Sequence, residues 1–448
     1  MGSYEKIFKA YDVRGIVPDE LDEDVAESVG AAFVRLTGAP SVVTVHDMRT
    51  SSRPLAEAFG RGATSQGADV IEGGLGSTDV LYYASGSLGM PGAMITASHN
   101  PAKYNGIKLC REGARPVGRD TGLIELRDAA AQGLPPYHGT PGVVVQRDLL
   151  SGYASHLKKL VDLSAIRPLT VAVDAGNGMA GYTVPKVFEG LPITVVPLYF
   201  ELDGTFPNHE ANPIDPQNLR DLQRAVIDSG ADIGLAFDGD ADRCFVVDER
   251  GAVVSPSVLT ALIAVRELAR EPGAAVIHNL ITSRAVPEII TEHGGIPIRT
   301  RVGHSFIKAR MAETGAVFGG EHSGHFYFRD FWYADSGMLA ALHVLAALGE
   351  QAAPLSDVLA GYGRYVATGE INSEVADQAG ATARVRAEFA SRPGVTFDEL
   401  DGLTVTGDGW WFNLRPSNTE PLLRLNLEAS DEDTMLRLRD EVLGIVRG

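Results

Sequence analysis

Apolar residues along this chain fall into short runs that alternate with segments of helical period. Runs at 42–45, 70–71 and 93–95 read as strands, with a helix starting near Pro54 between the first two and a polar stretch opening at Thr96 after the third. The plan then repeats. A strand at 169–173 leads into a helix at 179–188, a strand at 193–196, a helix at 219–227 and a strand at 233–237. Leu219, Leu222, Val226 and Ile227 keep the helical spacing, and Gly230 stops that helix. A third unit has strands at 275–277, 296–299 and 317–318 with helices between them. After about residue 366 strands at 403–405, 410–414 and 422–427 are joined by short loops, with helices before and after, which predicts an antiparallel sheet. The predicted fold class is α/β, with three similar mixed α/β domains at 1–145, 146–252 and 253–365 and a C-terminal α+β domain at 366–448.

At 448 residues the chain has the length of about three or four compact units, each able to bury its own core. It is 44% apolar, and no apolar run approaches the roughly 20 residues of a membrane span. The opening Met1-Gly2-Ser3-Tyr4-Glu5-Lys6 has no apolar core of an export signal, and the two cysteines, Cys110 and Cys244, form no framework and no CxxC, so a cytoplasmic home is expected. A net charge of −19 with no basic run argues against nucleic acid and anionic membrane as partners. An anionic small molecule would need arginines gathered at a cleft to override that field. Composition leaves the oligomeric state open.

Four polar runs carry candidate chemistry. In Asp238-Gly239-Asp240-Ala241-Asp242-Arg243, set between the strands at 233–237 and 245–247, a period of two brings three carboxylates to one side, and small residues let the loop curl around a hard cation such as Mg2+. The bland alternative is a solvated acidic turn, which the flanking buried-looking strands disfavour. An EF-hand is excluded, because Arg243 stands at the sixth position, where that loop needs glycine. Thr96-Ala97-Ser98-His99-Asn100-Pro101 follows a strand and makes Ser98 a candidate nucleophile, against the plainer reading of a turn or capping serine. Gly319-Gly320-Glu321-His322-Ser323-Gly324-His325 offers a carboxylate, a hydroxyl and imidazoles on a flexible backbone, suited to sugar hydroxyls, although His322 could simply pack. Arg415-Pro416-Ser417-Asn418-Thr419-Glu420 joins two strands and supplies phosphate-binding groups, or else is an ordinary polar hairpin turn. A competing signal is Gly176-x-Gly178-x-x-Gly181 with Glu201 downstream, a dinucleotide fingerprint that would make the chain an NAD-dependent oxidoreductase and leave the other four runs without a role.

Together the four runs resemble the α-D-phosphohexomutase superfamily, in particular its bacterial phosphomannomutase/phosphoglucomutase branch, over essentially the whole chain. Ala10-Tyr11-Asp12-Val13-Arg14-Gly15 and Asn105-Gly106-Ile107-Lys108 are similar to two further motifs of that family. The resemblance implies four domains around a central active-site cleft, Ser98 as a phosphoserine, and Mg2+ held by Asp238, Asp240, Asp242 and a phosphoserine oxygen. It implies that Arg14, Lys108 and Arg243 surround the reacting phosphoryl group, where fixed cations stabilise developing charge. His99, Lys108 and His325 stand as alternatives for proton transfer. Glu321, Ser323 and His325 resemble sugar contacts; Arg415, Ser417, Asn418 and Thr419 resemble the site of the non-reacting phosphate; Tyr11 and His304 match further ligand-contacting positions. Where many relatives carry a ligand-contacting lysine this chain has Ile281, a departure in that contact. The implied reaction moves phosphate between C1 and C6 of a mannose or glucose phosphate through a hexose 1,6-bisphosphate, which also serves as activator. A serine-dependent sugar phosphatase is the nearest rival, and a non-catalytic sugar-phosphate sensor a further one.

Overall fold

The computed structural model describes residues 2–417 and 422–448, without the side chains of residues 2, 3, 304 and 305. Each of the four units is built on its own sheet. In the first, Ser41–His46 lies between Asp69–Leu75 and Gly92–Ile95, all parallel, while Tyr104–Arg111 returns antiparallel beside Gly92–Ile95 and pairs in turn with Val13–Ile16. The second has Leu169–Asp174 between Ile193–Leu198 and Ile233–Phe237 in parallel, with Cys244–Asp248 antiparallel and the short strand Val253–Val254 beyond it. The third repeats this scheme with Ile296–Thr300, Ala275–Asn279 and Phe318–Gly320 parallel, then Phe326–Phe328 and Ala334–Asp335 antiparallel. The fourth sheet is antiparallel throughout, in the order Val366–Glu374, Leu422–Ala429, Trp410–Pro416, Leu403–Gly407, Thr396–Asp398.

The central strands of the first three sheets, Ser41–His46, Ile233–Phe237 and Ala275–Asn279, are buried on both faces, as parallel sheets covered by helices require. One apolar core joins all three units, and its centre is the helix Gly337–Gly349, whose thirteen residues are all buried. Apolar on every side, this helix has no polar face to set a period, and the spacing rule does not find it. The fourth unit has a separate core around Phe389, Phe412 and Leu425.

Two expectations are corrected. The predicted helix at 219–227 is a 3-10 turn, Pro216–Leu219, followed by the α-helix Arg220–Ser229; Leu222 and Val226 face the sheet and Ile227 is 60% exposed. Ile227 follows Val226 by about 100° of rotation, which carries it off the buried face. Gly319 and Gly320 are not flexible loop but buried strand, and a Cβ on Gly320 would lie 2.3 Å from the Thr260 hydroxyl oxygen. Val13–Ile16 and Tyr104–Arg111 are strands although polar side chains interrupt their apolar pattern. Among the described residues no helix is long and apolar enough to cross a membrane.

Candidate active site

The polar runs of the first three units follow parallel strands, so their side chains emerge where such sheets offer a crevice. Ser98 stands three residues beyond Gly92–Ile95 with a positive φ of 51°, a conformation costly for a residue with a Cβ. Its N–H donates to Thr96 Oγ1 (2.9 Å), which fixes the turn, and its hydroxyl reaches Asp238 Oδ2 at 3.0 Å and His99 Nδ1 at 3.2 Å. Ala241 has φ 57°, and with that kink the loop after Ile233–Phe237 brings ligand oxygens of Asp238, Asp240 and Asp242 within 4.8 Å of one another, all buried. Gly239 makes this approach feasible, since a Cβ there would lie 2.5 Å from the Ser98 carbonyl oxygen.

The three carboxylates are unequally compensated. Lys108 Nζ donates to Asp240 Oδ2 (2.7 Å) and Asp242 Oδ2 (2.6 Å), and Thr78 Oγ1 also donates to Asp240 Oδ2 (2.5 Å). Burial opposes the charge on Lys108, but the two carboxylates push its pKa up and keep it protonated. Asp238 has the Arg243 backbone N–H (3.2 Å) and guanidinium (3.4 Å); burial and the two neighbouring aspartates push its carboxyl well up. Asp240 Oδ1 and Asp242 Oδ1 are buried without a hydrogen-bond partner. Orphaned anionic oxygens converging in one loop are what an oxygen-liganded divalent cation satisfies, so this donor set fits a metal ion of the Mg2+ class.

Cations close the remaining sides. Arg14, on the strand paired with Tyr104–Arg111, donates to Asn100 Oδ1 and to Asp12 Oδ2, both at 2.5 Å. Arg243 Nη2 lies 2.8 Å from His99 Nδ1, and Nε lies 3.3 Å from His325 Nε2. Arg243, burial and Arg14 together push the His99 pKa down to about 2. Arg243 and His325 also form an isolated backbone bridge, supported by Cys244 N–H to the Gly324 carbonyl (3.2 Å), which ties the aspartate loop to the glycine-rich run of the third unit. A cavity of about 280 Å³ opens here, lined by Tyr11, Arg14, Ser98, Lys108, Arg243 and His325 among others.

Of the remaining predicted residues, Glu321 and Ser323 adjoin His325. Glu321 is buried, accepting from Tyr327 (2.7 Å), Asn279 (3.2 Å) and the Gly303 N–H (3.3 Å). Ser323 Oγ lies 2.9 Å from His325 Nδ1. Arg415 is apart from the cavity lining, at 3.7 Å from Glu370 and 4.0 Å from Asp401. Ser417 receives a bond from Arg424 (3.4 Å), and Asn418 and Thr419 lie outside the described residues. His304 opens the helix His304–Thr314, and its side chain lies outside the description. Ile281 is buried against Leu280 and Trp411, an apolar contact to the fourth unit where a lysine was the expectation from relatives.

Sequence reasoning misses Thr78, Arg424 and Arg49. Arg424 faces Arg415 across the two strands, a pairing visible only once the register is known. Thr78 belongs to no motif. Arg49 was findable, because Asp47 and Arg49 open a largely polar segment, 47–52, directly after a parallel strand.

The glycines of the dinucleotide-like run have another task. The start of the helix Ala180–Phe188 is covered by the Gly239 carbonyl, which accepts from the Met179 N–H (2.9 Å), and a Cβ on Gly178 would lie 2.7 Å from that oxygen. Gly178 lets the turn pack against the aspartate loop, where a pyrophosphate would otherwise sit, and Gly181 lets the helix approach the Phe200 backbone.

Comparison with known proteins agrees with this division. Models of the phosphoglucomutase/phosphomannomutase alpha/beta/alpha domains I, II and III match residues 5–132, 151–251 and 256–365, and the model of the C-terminal domain matches 370–445. The chain is similar to the phosphohexose mutases of Xanthomonas campestris pv. campestris (41% identity, covering 98% of this chain and 99% of the relative). It is also similar to the phosphomannomutase of Salmonella typhimurium (39%, covering 97% of each). A phosphoglucomutase/phosphomannomutase family protein from Burkholderia thailandensis superposes with a TM-score of 0.90 at 33% identity, over 99% of this chain and 97% of that one. Neither an oxidoreductase nor a phosphatase is among these relatives.

Proposed function

This chain belongs to the phosphoglucomutase/phosphomannomutase family and is a phosphohexose mutase, and from that premise we propose that Ser98 is its phosphoryl carrier, exchanging phosphate between C1 and C6 of mannose and glucose phosphates. The observation that carries this reading is the Ser98 hydroxyl 3.0 Å from Asp238 Oδ2 within a ring of three aspartates and three cations. Phosphorylated Ser98 gives its phosphoryl group to the free hydroxyl of a hexose monophosphate; the Oγ–P bond breaks, the bond from P to the sugar oxygen forms, and the hydroxyl proton passes to His99 or His325, since Lys108, held protonated by its two carboxylates, has no site to accept it. The resulting 1,6-bisphosphate turns over, its other phosphate returns to Ser98 Oγ, and the proton returns to the vacated sugar oxygen. Arg14, Lys108 and Arg243 hold the transferring group by charge. Mg2+ on Asp238, Asp240, Asp242 and a phosphoserine oxygen would supply further neutralisation of the phosphoryl oxygens. Glu321, Ser323 and His325 are assigned to the sugar hydroxyls, with Tyr11 and His304 as further contacts; Arg415, Ser417, Asn418 and Thr419, joined by Arg424, are assigned to the resting phosphate. Hexose phosphates as the small-molecule ligands, a hexose 1,6-bisphosphate activator, a cytoplasmic setting and domain limits at 145, 252 and 366 belong to the same reading.

The half-turn of the intermediate predicts the substrate range. Exchanging the two phosphates roughly exchanges O3 and O4, so fixed groups such as Glu321 and Ser323 can hold either orientation. Mannose and glucose share O3 and O4 and differ at C2, which has no dedicated partner in this scheme. A single minor contact is worth about 1 to 3 kcal/mol, so the catalytic efficiencies for the two 1-phosphates are expected to differ by less than about a hundredfold. A coupled assay with each 1-phosphate, primed with hexose 1,6-bisphosphate, measures this; a ratio above roughly ten thousand means that C2 is read through a buried hydrogen bond. Stoichiometric release of inorganic phosphate would instead mark a phosphatase.

A further inference from the structure

Arg49 is 3% exposed and lies directly beneath the serine turn, and each of its five guanidinium N–H groups has a partner. Nε donates to Asp47 Oδ2 (3.2 Å), Nη1 to the carbonyls of Pro101 and Tyr104 (both 3.0 Å), and Nη2 to the carbonyls of Ser98 (2.9 Å) and Asn100 (2.6 Å). Four of the five acceptors are thus main-chain oxygens between residues 98 and 104, the segment that turns from the strand Gly92–Ile95 into Tyr104–Arg111. Within that segment the main-chain turn bonds among the described residues are Asn100 N–H to Ala97 and Tyr104 N–H to Pro101 (both 3.0 Å). The Pro101 carbonyl accepts from both the Tyr104 N–H and the guanidinium, while for the Ser98 and Asn100 carbonyls, which lie outside regular secondary structure, the guanidinium supplies the donor.

The arginine is itself immobilised from two sides. Asp47 Oδ1 accepts from the Arg49 backbone N–H (2.9 Å) and from Ser52 Oγ (2.5 Å), and Ser52 Oγ in turn accepts from Asn105 Nδ2 (2.9 Å), a residue of the returning strand. On the opposite side the second unit closes over it: the Phe206 ring centroid is 5.0 Å from Arg49 Cζ, and a Cβ on Gly204 would lie 2.6 Å from Arg49 Cα. Arg49 is therefore fixed relative to the sheet that carries the serine and relative to the unit that carries the aspartate loop.

We propose that Arg49 is a positioning residue for phosphoryl transfer, holding the main chain at 98–104 so that Ser98 keeps its positive φ and presents Oγ to Asp238. This rests on the reading of Ser98 as the phosphoryl carrier. Arg49 does not line the cavity, and its guanidinium reaches the reaction only through the carbonyls it binds. Five donors in a planar fork match five acceptors; a lysine ammonium has three and cannot span them.

The test compares Arg49→Lys and Arg49→Met with the unaltered full chain. Arg49→Lys keeps the charge beside Asp47 and three of the five donors, and is expected to stay folded with a lowered thermal midpoint. Its kcat is expected to fall about a hundredfold, the scale on which a displacement of about 1 Å acts, with KM for the hexose 1-phosphate within about threefold. The 31P resonance of its phosphoserine is expected to shift or broaden. Arg49→Met, which also strands Asp47, serves as the more disruptive comparison. Parent-like kcat and 31P spectrum in Arg49→Lys overturn the proposal, as does loss of the folded state in that variant, which would make Arg49 a stability element. If Ser98→Ala retains turnover, the carrier reading fails instead, and the two failures are told apart.

Discussion

Ser98→Ala is expected to abolish mutase turnover, lowering kcat by about four orders of magnitude or more, as loss of a covalent nucleophile does. The substitution removes one oxygen and keeps the Cβ, so the turn bonded by Thr96 Oγ1 to the residue-98 N–H is retained. Asp238 Oδ2 loses the 3.0 Å bond from the hydroxyl but keeps the Arg243 guanidinium at 3.4 Å. The stability change should therefore stay within about 1 to 2 kcal/mol, the range of one hydrogen bond to a charged group. Turnover and thermal unfolding measured on the same preparation separate the two effects. A folded variant retaining more than about 1% of turnover would exclude Ser98 as the carrier.

Asp240→Asn is expected to lower turnover by about a thousandfold, corresponding to about 4 kcal/mol of transition-state stabilisation, with the fold intact. Asp240 lies in the crowded middle of the loop, bonded through Oδ2 to Lys108 and Thr78, with Oδ1 unpaired. An amide oxygen can keep the two donors at nearly constant volume. The NH2 group then replaces the oxygen that a metal ion would use, and one of three negative charges is gone. Despite burial and the neighbouring Asp242, Lys108 holds the Asp240 carboxyl below its usual range, so losing that ion pair, with Lys108 still paired to Asp242, should lower the thermal midpoint in chelator only modestly. Metal titration followed by calorimetry should show weakened binding. Unweakened binding and near-normal activity at limiting Mg2+ would remove the aspartate loop from the mechanism.

What the sequence disclosed divides along physical lines. Strands buried on both faces, such as Ile233–Phe237, stand out as apolar runs, and the turns after them stand out by polarity, so Ser98 and the three aspartates were legible as chemistry before any geometry. The helix Gly337–Gly349 was not, because amphipathic period is the signal and this helix has no exposed face. Glycines were ambiguous for a different reason: Gly176, Gly178 and Gly181 satisfy a nucleotide-binding spacing, yet Gly176 serves a positive φ of 51°, and Gly178 and Gly181 accommodate the backbone of Gly239 and Phe200. Close approach of two main chains and close approach to a phosphate ask for the same residue. The roles of Lys108 and Thr78 depend on contacts between residues 30 to 162 positions apart in sequence, which no local pattern encodes. Ile281 illustrates the converse, since an absent lysine reads as a lost contact until Trp411 is seen packed against it.

The central claim is that Ser98 carries the phosphate that moves. The most direct measurement is intact-mass analysis with peptide mapping of the purified protein, before and after mixing with stoichiometric glucose 1-phosphate. The account predicts one phosphate on the peptide containing Ser98, its loss upon mixing, and appearance of an equal amount of hexose 1,6-bisphosphate without inorganic phosphate. Phosphate mapped only to another residue, or bisphosphate formed while Ser98 stays unmodified throughout, would contradict it.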